Sequence, residues 1–255
     1  KDGDLSIQVK VKTNDELGRL TESFNQMVKD LKRYLEDRVQ RQKDLNETTL
    51  RLYQTQLNPH FLYNTLDTIK WSAKIHQIPE IAVLAENLAI ILRKSISSKP
   101  FIPLREELET IDSYVEVQKI RFTGRFLCEK EIPDQLEECL VPKMILQPLV
   151  ENAIIHGLEG CENGYICIYA GREGDVLNIS ITDDGRGMSP EILAWINSPE
   201  PEKREGHLGL YNIMRILKLY YGNEYGLKAE VTEDGTTVTL RLPDVRSGSF
   251  GAERP

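Results

Sequence analysis

The chain has 255 residues, and 32 Lys and Arg stand against 40 Asp and Glu for a formal net charge of −8. So acidic a chain lacks the surplus of cations that phosphate neutralisation on nucleic acid requires, which excludes nucleic acid as a partner class. Hydrophobic residues make up 40% and charged residues 28%, the balance of a water-soluble globular protein, and no run approaches the roughly eighteen apolar residues of a membrane span. The length predicts one or two compact domains. A start at Lys1 with no basic-then-apolar leader reads as a piece of a longer protein rather than a secreted one. Cys128, Cys139, Cys161 and Cys167 stand 11, 22 and 6 apart, matching neither a C-x-x-C metal pair nor a dense disulfide framework, and are expected to be reduced cytosolic residues.

From Asn14 to about Gln56 apolar residues fall at Leu17, Leu20, Phe24, Met27, Leu31, Leu35, Val39, Leu45 and Leu52. Spacings of three and four predict a coiled-coil seam, and the second successive four, Leu31 to Leu35, is a stutter that unwinds the supercoil locally. A stripe this narrow cannot be buried by one helix, so a homodimer is expected. From Leu57 to Ser98, Leu62, Leu66, Ile69 and Ala73 make one stripe and Ile81, Leu84, Ala85, Leu88, Ile91 and Leu92 another, separated by His76-Gln-Ile-Pro79. These predict a helical hairpin, and two hairpins in a dimer would give a four-helix bundle. A third helix is expected over Leu104 to about Arg121, with Leu104, Leu108, Ile111 and Val115 on one side.

Beyond Phe126 the pattern mixes periods. Alternation predicts strands at Phe126–Ile132, Tyr165–Ala170, Val176–Thr182, Leu227–Thr232 and Thr237–Leu242, with helices at about Pro142–His156 and Gly209–Tyr221. That order predicts an α+β domain with helices on one face of a mixed, mostly antiparallel sheet. Ser189 to Glu205, with Pro199-Glu-Pro-Glu-Lys-Arg-Glu205 polar and without an apolar pattern, has the profile of a mobile lid over a ligand. The tail from Arg246, rich in Gly and Ser, is expected to be disordered.

Three constellations can carry chemistry. Asp183-Asp-Gly-Arg-Gly187 follows directly on a predicted strand, where a carboxylate can accept from an exocyclic amine and glycines let backbone approach a planar ligand, although it also suits a surface turn. Gly206-His-Leu-Gly-Leu-Tyr-Asn212 lies where a loop enters a helix, and free N–H groups there favour phosphate. Gln147-Pro-Leu-Val-Glu-Asn-Ala153, followed by His156-Gly157, puts Glu151 and Asn152 in an apolar helix, a costly placement unless they face a site. An Asn amide oxygen there suits Mg²⁺ beside substrate phosphates. There is no G-x-x-x-x-G-K-[ST] loop and no Ser/Thr-kinase motif set.

These three boxes, closed by Gly235-Thr-Thr-Val-Thr-Leu-Arg-Leu-Pro243, resemble the nucleotide-binding boxes of the GHKL (Bergerat) ATPases, the group of gyrase, histidine kinases and MutL. Gln54-Thr-Gln-Leu-Asn-Pro-His-Phe-Leu-Tyr-Asn-Thr-Leu66 is similar to the phosphoacceptor segment of the LytS/YesM-type sensor histidine kinases, and Leu217-Lys-Leu-Tyr-Tyr-Gly-Asn-Glu-Tyr-Gly226 points to the YesM side. Asp15-Glu-Leu-Gly-Arg-Leu20 with Phe24-Asn-Gln-Met27 resembles the second helix of a HAMP module. The resemblance divides the chain into a HAMP-like segment (1–27), a coiled coil with the dimerisation and phosphotransfer hairpin (28–98), a catalytic ATP-binding domain (99–245) and a tail (246–255).

It implies ATP and Mg²⁺ as cofactors, autophosphorylation of His60, transfer to an aspartate of a response regulator, and a membrane-attached sensor region upstream. Asp183 is then expected to bind the adenine amine, Asn152 the Mg²⁺, and Gly185, Gly187, Gly206 and Gly209, with Leu210, to wrap the nucleotide. Thr236 or Thr237 touches adenine through water, the spacing not choosing between them, and His156 faces either the site or the helix end. A neutral imidazole offers a ring nitrogen as nucleophile without deprotonation. His60 lies about 200° around the helix from Leu62, opposite the apolar stripe and in solvent, with Asn64 one turn on to hold the other nitrogen. Pro59 predicts a kink or a fresh start with Asn58 as N-cap. His76 and His207 are expected to do no chemistry.

Three departures from the family pattern stand out. Phe61 occupies the place of an acidic residue, which leaves the proton acceptor open with Glu151 as one candidate. Pro148 stands where a polar residue is usual, and Ile155 where relatives often carry Lys, so Lys203, Arg204 or Arg186 is expected to neutralise phosphate instead. A hydrolysing ATPase and a non-catalytic nucleotide-binding scaffold are the alternatives at this level.

Overall fold

The computed structural model describes residues 25–27, 29, 59–97, 99–199, 201–204, 206–233 and 235–245. Residues 25–27 and 29 are helical. The remainder of the HAMP-like segment and coiled coil, the stutter, Asn58 and the tail lie outside the described residues.

Helix α1 (Pro59–Ile75) starts at proline, whose missing N–H is no loss in a first turn. It ends at a turn in which Gln77 adopts φ 58°, and α2 (Pro79–Ile96) starts at a second proline. The two helices form the expected hairpin, and the Arg93 guanidinium sits 5.5 Å from the Tyr63 ring across it. Ala73, Ala82 and Ala85 are buried, Leu62 and Leu66 half-buried, and Ile69, Ile81 and Leu88 exposed, so both stripes are only partly covered within one chain.

Strand β1 (Phe101–Pro103) leads into α3 (Leu104–Arg121), whose Leu104, Leu108, Ile111 and Val115 are all buried as their spacing predicts. Lys94 on α2 ties to α3 through Glu109 Oε2 at 2.6 Å and the Glu106 carbonyl at 3.0 Å. Strand β2 (Phe126–Glu131) follows, then β3 (Leu140–Pro142), which pairs antiparallel with β1. The main sheet is completed by β4 (Gly164–Glu173), β5 (Val176–Asp183), β6 (Gly226–Thr232) and β7 (Gly235–Pro243), in the order β2-β4-β5-β7-β6. Among the described strands of this sheet only β2 and β4 pair in parallel. Leu177, Ile179 and Ile181 of β5 and Val238, Leu240 and Leu242 of β7 point inward to one core with α3, α4 (Gln147–Asn152) and α6 (Leu208–Tyr221). The opposite face carries hydroxyl pairs, Ser180–Thr239 at 2.9 Å and Thr182–Thr237 at 3.0 Å. This is the expected architecture of helices on one face of a mixed sheet.

Two expectations need correction. The helix expected over Pro142–His156 is shorter: Pro142 ends β3, Met144 turns left-handed at φ 59°, α4 starts only at Gln147, and a π-helical turn over Ala153–Gly157 finishes it. The buried Glu107 carboxylate holds the intervening backbone, a contact from elsewhere in the chain that no local pattern reveals. The stretch expected to be a mobile lid, Ser189 to Glu205, begins with a packed helix, α5 (Pro190–Ile196). Ser189 caps it, accepting from the Ile192 N–H, while Ile192, Leu193 and Trp195 pack on the core and Ile196 is buried in it. Ser-Pro followed by apolar residues at this spacing is a start signal hidden by the charged residues after it. Among the described residues no helix is long and apolar enough to cross a membrane.

Candidate active site

Alternation along β5 turns Asp183, its last residue, inward with Ile179 and Ile181, and the carboxylate is 4% exposed. Its Oδ1 accepts the Gly185 N–H at 3.1 Å. Burial pushes its pKa up to about 6; that hydrogen bond opposes the rise and the neighbouring Asp184 charge adds to it. The backbone passes so close that a Cβ at Gly157 would lie 2.5 Å from Oδ1, and one at Gly185 would overlap the Gly157 carbonyl. That carbonyl accepts the Arg186 N–H at 3.1 Å, joining the end of the π turn to the loop after β5.

Beside this knot opens a cleft of about 230 Å³. Asn152, His156, Asp183, Gly187 and Thr236, all singled out in the sequence, line it together. Thr236 pairs with Asp183 across β5 and β7 and is buried, whereas Thr237 faces the other side of the sheet and bonds Thr182. The other candidates lie outside the lining. Gly185 is behind Asp183. Gly206, at φ 84°, precedes α6; Gly209 lets that helix sit on Pro148, whose Cβ would be 3.1 Å from an added Cβ; Leu210 is core. Glu151 is exposed on α4, near enough to Tyr114 that its charge, after burial, helps raise that phenol to about 12.

His207, expected to be idle, also lines the cleft, its ring 6.4 Å from that of His156 and 5.9 Å from that of Trp195. Burial, then the nearby His156 and Arg204, lowers its pKa. Its position immediately before α6 was a signal in the sequence, since a residue there stands at the mouth of any site the helix N-terminus serves. Met188, Ser189 and Ile192 are the other unforeseen lining residues, missed along with α5. Of the three cations expected to replace Lys, Arg186 lines the cleft and pairs with Glu159 at 2.5 Å, Arg204 pairs with Glu191 at 3.2 Å, and Lys203 is exposed. Among the described residues no group of three or more His, Cys, Asp or Glu could hold a metal. A lone Asn152 oxygen in the lining fits a cation that takes most of its ligands from phosphate and water.

On α1, His60 is exposed, and the Asn64 amide nitrogen lies 3.2 Å from its Nδ1 and 3.5 Å from its Nε2.

The five-stranded sheet backed by helices thus places a buried strand-end Asp and an Asn-bearing helix on one cleft. Residues 141–246 match the family described as "Histidine kinase-, DNA gyrase B-, and HSP90-like ATPase", residues 48–126 match "Histidine kinase", and residues 1–33 match "HAMP domain". The chain is 36% identical to the sensor histidine kinase YesM of Bacillus subtilis, covering 94% of this chain and 41% of that one. It is 32% identical to the sensor histidine kinase YpdA of Escherichia coli (79% and 35%) and 27% identical to the sensor protein LytS of Bacillus subtilis (79% and 35%). Among solved structures it aligns with the histidine kinase domain of the Erythrobacter litoralis EL346 blue-light activated histidine kinase, at TM-score 0.46 and 16% identity, covering 73% of this chain and 94% of that one. The chain belongs to the sensor histidine kinases of the YesM and LytS type. It spans 35–41% of the length of these curated relatives.

Proposed function

We propose that this chain is the kinase portion of a two-component sensor that phosphorylates itself on His60 from ATP and hands the group to an aspartate of a response regulator. The observation that carries the reading is the buried Asp183 carboxylate on a cleft shared with Asn152, His156 and Thr236. Asp183 accepts from the adenine amine, and Thr236, beside it on β7, reaches adenine through water. Gly187 lets backbone pass the base; Gly185, Gly206, Gly209 and Leu210 act on the nucleotide only through the backbone they shape. Asn152 holds Mg²⁺, which when bound offsets the negative charge of the phosphates. Arg186 and His156 face the same cleft and support the phosphate end.

With the Asn64 amide turned end for end, its oxygen accepts from Nδ1–H and leaves the lone pair on Nε2 of His60. That nitrogen attacks the γ-phosphorus in line, the P–N bond forms as the bond to the β–γ bridging oxygen breaks, and ADP leaves. The ring proton passes to a base, for which Glu151 is the candidate. Catalysis is then mostly positioning and charge stabilisation. Partial exposure of both hairpin stripes supports a homodimer through a four-helix bundle, and the HAMP match supports a membrane-anchored sensor region upstream.

The test is incubation of wild type and His60→Gln with γ-labelled ATP and magnesium. The expected result is label on wild-type protein, stable to alkali and labile to acid, and none on the variant. Release of free phosphate with no retained label would overturn the reading in favour of a hydrolysing ATPase.

A further inference from the structure

Helix α4, which carries Asn152, has no local side-chain cap, and its N-cap position is an apolar residue, Leu146. Its anchor comes from α3. Glu107, 1% exposed, accepts the Met144 N–H at 2.9 Å through one carboxylate oxygen and the Leu146 N–H at 3.0 Å through the other. Met144 stays left-handed at φ 59°, a conformation that costs about 1–2 kcal/mol for a residue with a side chain and persists only where surroundings impose it. The adjacent Lys143 faces the other way. Its Nζ donates to the Ser95 carbonyl at 2.8 Å and to the Ser97 carbonyl, orphan acceptors at the C-terminal end of α2, and its own N–H donates to the Pro100 carbonyl at 3.0 Å. Partial burial lowers the Lys143 pKa, and the nearby Glu107 charge opposes that shift. A turn of four residues, 143–146, therefore joins the end of the hairpin whose first helix bears His60 to the start of the helix that bears Asn152.

We infer that Glu107 and Lys143 are positioning residues for the proposed phosphoryl transfer: Glu107 sets the start of α4, and so Asn152, while Lys143 sets that helix against the hairpin. The inference rests on the reading above and adds a division of labour to it. Loss of the Glu107 contact moves the nucleotide's ligands; loss of the Lys143 contact leaves the cleft intact and disturbs only its approach to His60.

The experiment measures Mg·ATP affinity and the autophosphorylation rate at saturating Mg·ATP for the 255-residue chain and three variants. Lys143→Met keeps the aliphatic stem and removes the donors: affinity is expected to stay within about twofold while the rate falls about tenfold, the scale of a small misplacement of reacting groups. Lys143→Arg, which restores donors to the two carbonyls, recovers most of the rate. Glu107→Gln, which exchanges one acceptor for a donor facing an N–H, shows the opposite split, with affinity down about tenfold. A Lys143→Met protein with wild-type rate, or one losing rate and affinity in equal measure, overturns the inference, as does a folded Glu107→Gln protein with wild-type affinity. If circular dichroism shows Glu107→Gln unfolded, the Lys143 pair decides alone. A wild-type chain that binds no nucleotide and takes no label overturns the underlying reading instead, a result the wild-type arm reports separately.

Discussion

At Asp183 the chain holds a carboxylate almost out of water with one N–H donor to it, and its pKa rises from 3.8 to about 6. The folded protein therefore binds this proton more tightly than the unfolded chain does. Stability from this group is present below about pH 4, declines as pH rises to about 6, and is level above that, a loss of up to about 3 kcal/mol at about 1.4 kcal/mol per pH unit. Asp183→Asn is expected to melt higher than wild type at about pH 7.5, to lose that advantage towards pH 4, and to fail to bind adenine nucleotide. Thermal melts at both pH values with a nucleotide titration check this, and a lower melting temperature for the variant at the higher pH would refute it. In wild type, nucleotide affinity should weaken as pH falls through 6, because the protonated carboxyl is a neutral and therefore weaker acceptor for the amine. The Asp was visible in the sequence as a strand-end carboxylate before two glycines, but its burial was not. That burial comes from the close approach of Gly157 and Gly185, which lie 28 residues apart.

Along β7 the period of two separates neighbours whose sequence is identical in type. Thr236 lines the cleft and Thr237 bonds Thr182 on the far face. Thr236→Val is expected to weaken nucleotide binding severalfold, while Thr237→Val leaves it unchanged and costs no more than about 1.5 kcal/mol of stability for the lost hydroxyl pair. Calorimetric titration of both variants decides the point, and equal losses would contradict the alternation. Glycines divide similarly by surroundings. An added Cβ at Gly157 meets the Asp183 carboxylate, whereas one at Gly206 meets nothing within 4 Å and pays only for the left-handed backbone. Gly157→Ala should cost about 1–3 kcal/mol and lower nucleotide affinity, and Gly206→Ala about 1 kcal/mol, as read by urea denaturation. In α5, Ser189→Ala should cost about 1 kcal/mol through loss of the cap to the Ile192 N–H. That helix went unread because it reads together with the charged residues that follow it, while it packs against β6, about thirty residues further along the chain.

At the scale of the whole molecule, the described hairpin leaves an apolar stripe exposed. Ile69 is 42% exposed in a stripe whose other end, Ala73, is buried, and Ile81 and Leu88 are exposed on the second helix. In the proposed four-helix bundle a second hairpin would cover this patch. Wild type is expected to sediment as a dimer at micromolar concentration and Ile69→Glu as a monomer that keeps its nucleotide affinity. An Ile69→Glu protein that remains dimeric through the described hairpin would refute that assignment. The same variant separates two levels of the fold, since the cleft is built wholly by the sheet domain and the hairpin contributes none of its lining.

From sequence alone came the order of the five main-sheet strands and the longer helices, the helical hairpin, the one-sided sheet, and the candidates proposed to bind nucleotide or accept phosphate. Each of these depends on local periodicity or on a short motif, so each is written in consecutive residues. Tertiary packing decided the late start of α4, the existence of α5, the choice of Thr236 over Thr237, and the presence of His207 in the cleft. Those depend on contacts between distant segments, such as Glu107 with the turn before Gln147 and Gly157 with the loop after Asp183, and a buried hydrogen bond or a close approach of backbones leaves no periodic trace in either partner.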